Sequence, residues 1–375
     1  MSLLEPYALT PRESHFLALA RRLSEDFASR AGVSDRENVL PQASYALLRS
    51  SGYLSLTVPE GFGGAGATLL EFARAQTQLA TGDAAVALTA AMNAHVVGGV
   101  AESGAWSETP LERVCRAVVT GGIVNAIASE PELGSPSRGG AFRTTASRVN
   151  SGWRLNGRKT WATGGEMIDL YVVNASLEDG SSARFLVDAR ASGVRLEATW
   201  VDALALRGSA AHDVLLEDVF VPDEDFIPPT PSTPNGSAWF WTAMSATYLG
   251  VGIAALEGLT AFAQSRVPSA LGQPIATLGS VQERIGEIEL TLKAAQTVML
   301  EGAKRWSDHL EPREGLLPLL AGAKYLCTNA AIRATDLALR TAGGSALTRG
   351  WLWSGTSGMR GRDWRTHRRT RWRWG

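Results

Sequence analysis

The period of the hydrophobic pattern changes twice along the chain, and this limits the fold more than any other feature. From Thr10 to about Arg116 apolar residues recur at helical spacing. Phe16, Leu17, Ala20 and Leu23 share one face, and Leu69, Phe72, Ala73 and Ala80 another, with Gln76 the one polar interruption. Pro11 near the first helix start, Asp83 as an N-cap and the Gly-rich stretch 61–66 punctuate this third. Between about Val118 and Pro228 the runs shorten and alternate with period two, at 142–149, 153–155, 170–173 and 214–221. Asn150-Ser151-Gly152 reads as a hairpin turn, and Pro222 closes the last strand. After the Pro- and Ser-rich stretch 228–236, helical spacing returns through Gln264, from about 278 to 310, and from 316 to about 342. These shifts predict a helical unit over 1–117, a β unit over 118–228 and a helical bundle over 229–350. The fold class is therefore α+β, an antiparallel β domain between two helical ones, and the alternation of a doubly wound sheet is disfavoured.

The 375 residues are 45% hydrophobic, enough for more than one core, which excludes a disordered or fibrous chain. Lys plus Arg number 36 against 37 Asp plus Glu, so no overall basic field exists to hold nucleic acid or an anionic membrane. Small molecules or other proteins are the expected partners. Cys115 and Cys327 lie far apart in a chain that opens without a secretory signature, so neither a disulfide framework nor a zinc knuckle is expected. Asn93 and His95 interrupt the Ala-rich stretch 84–100, and no membrane helix is expected. The reading is a soluble, cytoplasmic protein without a metal site.

Several segments carry chemistry. Gly61-Phe-Gly63-Gly-Ala-Gly66 satisfies the G-x-G-x-x-G pattern, with an acid downstream at Asp83, but Pro59-Glu60 intervenes after the strand-like 53–58 and more helix follows. A tight turn is the better reading than a nucleotide site. Ser129-Glu130-Pro131 with Gly134-Ser135 follows the apolar strand 123–128, where small side chains and free N–H groups admit a planar ring or a phosphate. In Asn156-Gly-Arg-Lys159-Thr-Trp161-Ala-Thr163 an aromatic and a hydroxyl are flanked by turn residues, which suits an aromatic cofactor; alone, Trp161 reads as a plug in the β core. A lone His95 on an apolar helix reads as a core residue.

Together with Leu206-Arg207-Gly208-Ser209, the strand 214–222 and Gly343-Gly344 after a helix, these segments resemble the acyl-CoA dehydrogenase family in order and spacing, over about residues 10–350. Val58-Pro59-Glu60-Gly61-Phe62-Gly63-Gly64 resembles the family's P-E-x-x-G-G turn. The resemblance implies FAD held between the β domain and the C-terminal bundle, an acyl-CoA substrate, transfer of electrons to an electron-transfer flavoprotein, and a homodimer or homotetramer. It gives Ala128, Ser129 and Ser135 to the loop lining the flavin, Trp161 and Thr163 to flavin contacts, Arg266 to the pyrophosphate, and Gly343 and Gly344 to the FAD of a neighbouring subunit. The usual Arg-x-x-Phe-Gly has become Arg266-Val-Pro-Ser-Ala-Leu271-Gly272, and Glu132, Leu133 and Pro136 also depart from the pattern.

Dehydrogenation needs a carboxylate to take the proton α to the thioester. No such base can be placed: an ungapped match through Tyr248-Leu249-Gly250 puts Phe240 where some members carry it, and Glu257 on the same helix is a substitute whose simpler reading is a solvated face. The stretch from Gly279-Ser-Val-Gln282 to Ala294-Ala295 resembles the subgroup that includes flavin-dependent monooxygenases, which need no such base and take reduced flavin from a reductase. An inactive remnant is the third reading. Residues 351–375 hold five Trp and seven Arg against one Asp, a bias expected when GC-rich DNA is read out of phase. With permitted codons the same DNA two bases on reads Leu-Ala-Leu-Glu-Arg-Tyr-Phe-Arg-Asp, so this tail is expected to be a frameshift product.

Overall fold

The computed structural model describes residues 8–133, 141–229, 233–308 and 312–347; the Trp- and Arg-rich tail lies outside them. Five helices come first: α1 (Pro11–Glu37), α2 (Gln42–Ser50), α3 (Leu69–Ala80), α4 (Ala84–Ser103) and α5 (Glu108–Val119). Their starts follow capping chemistry. Thr10 accepts from Glu13 N at 3.1 Å while the Glu13 carboxylate accepts from Thr10 N at 2.7 Å, and Thr68 with Glu71 repeats this box at α3. Asp83 caps α4 through Ala85 N and Val86 N.

Eight strands follow: β1 (Val124–Ile127), β2 (Thr145–Val149), β3 (Gly152–Ala162), β4 (Leu170–Ser176), β5 (Ser182–Asp188), β6 (Val194–Glu197), β7 (His212–Pro222) and β8 (Phe226–Ile227). They form one sheet in the order β6-β7-β3-β2-β4-β5-β8, with β1 against β4. Most neighbours are antiparallel; β1 runs parallel to β4, and β2 meets β4 in parallel at Thr145 and Ser176. The expected turn after Asn150 joins β2 to β3, with Val149 opposite Gly152. Strand β3 continues well past Leu155, to Ala162, and this extension carries the site.

The remaining helices are α6 (Pro234–Ser265), α7 (Gly279–Asp308) and α8 (Leu317–Ala342). One core lies between the first helices and the sheet, around Phe27, Tyr45, Val97, Tyr171 and Phe185. A second joins α3 and α4 to the bundle through Phe72, Trp239, Leu292, Trp306 and Cys327. Contrary to the expectation from Asn93 and His95, α4 and α6 are both long and apolar enough to cross a membrane by length and composition. Their apolar windows are 72% and 61% buried inside the protein, where they pack on each other and supply the second core. That packing is close: a Cβ on Gly98 would stand 2.6 Å from the Trp239 ring, and one on Gly250 would stand 2.5 Å from the Thr77 carbonyl. Glu102 then ties α4 to the bundle, accepting from the indoles of Trp239 at 2.5 Å and Trp306 at 3.1 Å and pairing with Arg313.

Candidate functional site

Just past the end of β1, Ser129 O accepts from Thr160 N near the end of β3 at 2.9 Å, so the chain at Ala128–Ser129 lies along the segment leading to Trp161. Pairing of β3 with β7 slips between Lys159 and Ala162. This bulge puts Trp161 at φ 61°, in the left-handed region, and turns its indole outward to 57% exposure. A left-handed non-glycine residue costs about 1–3 kcal/mol and persists only where its surroundings fix it. The reading of Trp161 as a core plug is overturned. Trp153 fills that place, stacked on Phe226 with ring centres 4.8 Å apart and edge-on to Phe185 at 5.6 Å.

Thr163 returns to the interior at 7% exposure, and its carbonyl accepts from Asn125 Nδ2 at 2.9 Å. Gly164 N donates to Ser209 O at 2.7 Å, which draws the Leu206-Arg207-Gly208-Ser209 loop to this end of the strand. Gly164 holds φ 111° where a Cβ would meet Ile168 and Thr89, so glycine is required there. Through Thr89 the site therefore rests on α4. Ala128 and Ser129 are half-buried at the rim; Ser135, the other residue expected in this loop, lies outside the described residues.

Two ionisable residues that sequence reasoning missed lie under this rim. Glu130 and Lys159 are fully buried, with Nζ 2.6 Å from Oε1. Burial raises the Glu130 carboxyl, but hydrogen bonds from Lys159, Thr144 and Arg143 N outweigh it and hold it below the usual range. Burial also lowers the Lys159 ammonium to about 8, against the pull of Glu130. The sequence does hold a signal. Lys159 follows the inward-facing Leu155 at an even spacing in β3, and a lysine turned inward needs a carboxylate.

The Gly61–Gly66 turn is no phosphate site. The amides of Gly63, Gly64 and Gly66 donate to Glu60 O, Pro59 O and Val58 O, while the guanidinium of Arg12 takes the carbonyls of Ala65 and Gly66 at 2.5 and 2.8 Å. A phosphate would find occupied amides and outward carbonyls.

The other expected residues stand elsewhere. Gln76 bonds both Ala87 O and Thr247, so Thr247 on α6 is level with the α4 segment under the site. Arg266, exposed at the C-terminal end of α6, is about 28 Å further along at 1.5 Å per residue. Helix α8 runs in the direction of α6, with Cys327 against Ser245 and Ala331 against Gly252, so Gly343 and Gly344 lie at the Arg266 end as well. One chain therefore brings together Ala128, Ser129, Trp161 and Thr163, and separately Arg266, Gly343 and Gly344, but not the two groups.

Glu257 is also displaced, about 15 Å beyond Thr247. It is exposed at a cavity of about 650 Å³ between α1, α3, α6 and α7, beside Arg21, and so does not serve as the missing base. Phe240 meets the half-buried His95 edge-on with ring centres 5.3 Å apart, and Lys324 Nζ stands 5.6 Å from the same ring. Burial pushes the His95 imidazole down to about 4, so it is neutral at physiological pH. Burial raises both free thiols, Cys115 to about 11 and Cys327 to about 12, which leaves them unreactive. Among the described residues no group of His, Cys, Asp or Glu could hold a metal ion.

An outward indole with no stacking partner among the described residues, a buried hydroxyl two residues on and a rim of small residues fit one face of a flat aromatic cofactor. Residues 10–107, 125–219 and 242–371 match the N-terminal, middle and C-terminal domains of acyl-CoA dehydrogenase. The chain is 33% identical over 333 residues to the putative acyl-CoA dehydrogenase YdbM of Bacillus subtilis, covering 88% of this chain and 86% of that one. Among solved structures, a glutaryl-CoA dehydrogenase of Mycobacterium smegmatis in complex with FADH2 superposes with a TM-score of 0.81 at 21% identity, covering 93% of this chain and 89% of that one. FMN-bound TdsC from Paenibacillus sp. A11-2 does so with a TM-score of 0.80 at 21% identity, covering 94% and 92%. At that identity the two structures speak for the fold, while the three successive domain matches and the Bacillus relative carry the family: the chain belongs to the acyl-CoA dehydrogenases, a family of flavin-dependent oxidoreductases.

Proposed function

We propose that the protein is an FAD-dependent oxidoreductase that dehydrogenates a CoA thioester between its α and β carbons. The outward indole of Trp161, held in a strained backbone beside the buried Thr163, carries the cofactor assignment. When bound, FAD supplies the acceptor for the substrate hydride. Trp161 would stack on the ring system, Thr163 with Ala128, Ser129 and Ser135 would line its other contacts, Arg266 would meet the pyrophosphate, and Gly343 and Gly344 would reach the FAD of a neighbouring copy. A homodimer or homotetramer in the cytoplasm follows, with an electron-transfer flavoprotein as acceptor. The thioester substrate is supported by family membership and by relatives such as the human short-chain specific acyl-CoA dehydrogenase, 28% identical over 353 residues.

A second reading is a flavin-dependent monooxygenase served by a flavin reductase. It is favoured by one observation: at the α4–α6 contact Phe240 meets a neutral His95, and neither carries a carboxylate. The test is to load the protein with FAD, add acyl-CoA thioesters without oxygen and follow the flavin absorption. Bleaching supports dehydrogenation. A flavin that stays oxidised with every thioester, in a protein that consumes oxygen when given reduced flavin, refutes it and favours the monooxygenase. We also propose that residues 351–375 arise from a shifted reading frame, which resequencing independent isolates tests; an intact in-frame tail in each would end that reading.

A further inference from the structure

We propose that the Glu130–Lys159 ion pair is the positioning element of the flavin site, setting the distance between its two walls, the Ala128–Ser129 rim and the Trp161–Thr163 segment. The inference rests on the flavin reading given above and deepens it.

The two charged residues adjoin those walls in sequence. Glu130 follows Ser129 directly, and Lys159 stands two residues before Trp161, at the last regular pair with β7 before the bulge. Their 2.6 Å contact, both side chains almost wholly buried, therefore clamps one wall to the other at the point where β3 begins to turn outward. The Thr160 N to Ser129 O bond alongside gives the clamp a second, backbone arm.

The same carboxylate collects more than the lysine. Its Oε1 accepts from Thr144 Oγ1 at 2.6 Å and Thr144 N at 3.1 Å, and its Oε2 accepts from Arg143 N at 2.7 Å. The chain leaves the rim at Pro131 and re-enters β2 after Thr144, so one side chain fixes both ends of the segment that contains Ser135. Lys159 in turn stands 4.5 Å from the Phe142 ring centre on the returning segment before β2. Three chain segments thus meet on one charge pair.

An ion pair is a costly means of holding a sheet together. Desolvation offsets much of its attraction, and an apolar pair of similar volume would stabilise the strands as well or better. What charge-assisted hydrogen bonds add is direction and fixed length. Registry of two walls that must accept a rigid planar ring is the use that matches this geometry. Both side chains are buried beneath the walls, so both act through Ser129 and Trp161.

The experiment titrates FAD into the full-length chain and its variants, reading the dissociation constant from flavin fluorescence and the environment of the ring from the bound visible band. Glu130→Gln and Lys159→Met each weaken FAD at least tenfold. The decisive variant is the double E130Q/K159M, which leaves no unpaired buried charge. It is expected to keep the wild-type circular dichroism and melting temperature, yet to bind FAD at least tenfold more weakly and with a displaced band. If it binds within twofold of wild type with an unchanged band, the pair only balances charge and the proposal is overturned. Should the double variant not fold, Thr144→Val, which removes one donor and keeps both charges, decides. At least threefold weaker binding with a displaced band supports the clamp, and an unchanged constant and band overturn it. A chain that takes up no FAD even with its reading frame restored after Gly350 overturns the flavin reading first, and is told apart because no variant of the ion pair is needed to see it.

Discussion

Replacing Asp83 with asparagine should stabilise the protein at neutral pH, although it removes a charge from a helix N-terminus, where negative charge is normally favourable. Asp83 is 1% exposed. One carboxylate oxygen accepts from Ala85 N at 2.8 Å and Val86 N at 3.3 Å, and the other has no hydrogen-bond partner among the described residues. Burial dominates and raises its pKa from 3.8 to about 6; the two helix amides pull it down, and the nearby Asp35 pushes it up. The raised value means that the folded state holds a proton which the unfolded chain releases near pH 4. Stability from this group is fully present below about pH 4 and is lost as pH rises to about 6. With 1.36 kcal/mol per pKa unit, the loss is about 3 kcal/mol. Asparagine keeps the acceptor that caps α4 and cannot ionise, so Asp83→Asn should abolish that slope and raise stability at pH 7.5 by up to about 3 kcal/mol. Urea unfolding at pH 4, 5, 6 and 7.5 measures both. A variant less stable than wild type at pH 7.5, with the slope between pH 4 and 6 retained, would refute the reasoning.

Trp161→Ala should leave the melting temperature of the cofactor-free protein within a degree or two, since the indole is 57% exposed, while FAD binding weakens at least tenfold; fluorescence titration and calorimetry check the two halves. Gly250→Ala forces a methyl group against the Thr77 backbone between α3 and α6 and should cost about 1–3 kcal/mol, seen as a lowered urea midpoint without loss of secondary structure. Restoring the reading frame after Gly350 should tighten FAD binding relative to the chain as it stands, and equal affinities would count against a frameshift.

The helical, β, helical order was legible because each unit buries one face only, and the period of the apolar residues reports which element does so. Capping was equally local: Asp83 and the Asn150 turn depend on neighbours in sequence. Strand β5 was not legible. Ser182–Asp188 is buried at Ala183, Phe185, Leu186 and Val187, so both faces are covered and the alternation disappears. The long register of β3 was hidden by its two bulges, which no periodicity announces. For the site, residue types pointed to Ala128, Ser129, Trp161 and Thr163, but the outward turn of Trp161 comes from a register shift against β7, a tertiary event. The Gly61–Gly66 pattern was ambiguous for the same reason: only the partners of its amides, and Arg12 from the first helix, show that it is a closed turn.

The distance between Trp161 and the Arg266, Gly343 and Gly344 end of the bundle has a consequence for how such a protein is filled. On the proposed assignment, a pocket whose halves stand so far apart along the bundle would be completed by pairing two molecules, so loading would follow the square of the chain concentration while dimers are scarce. Dilution should then strip the prosthetic group before it harms the fold. Two chains, each crippled at a different end, should regain one working pocket when mixed.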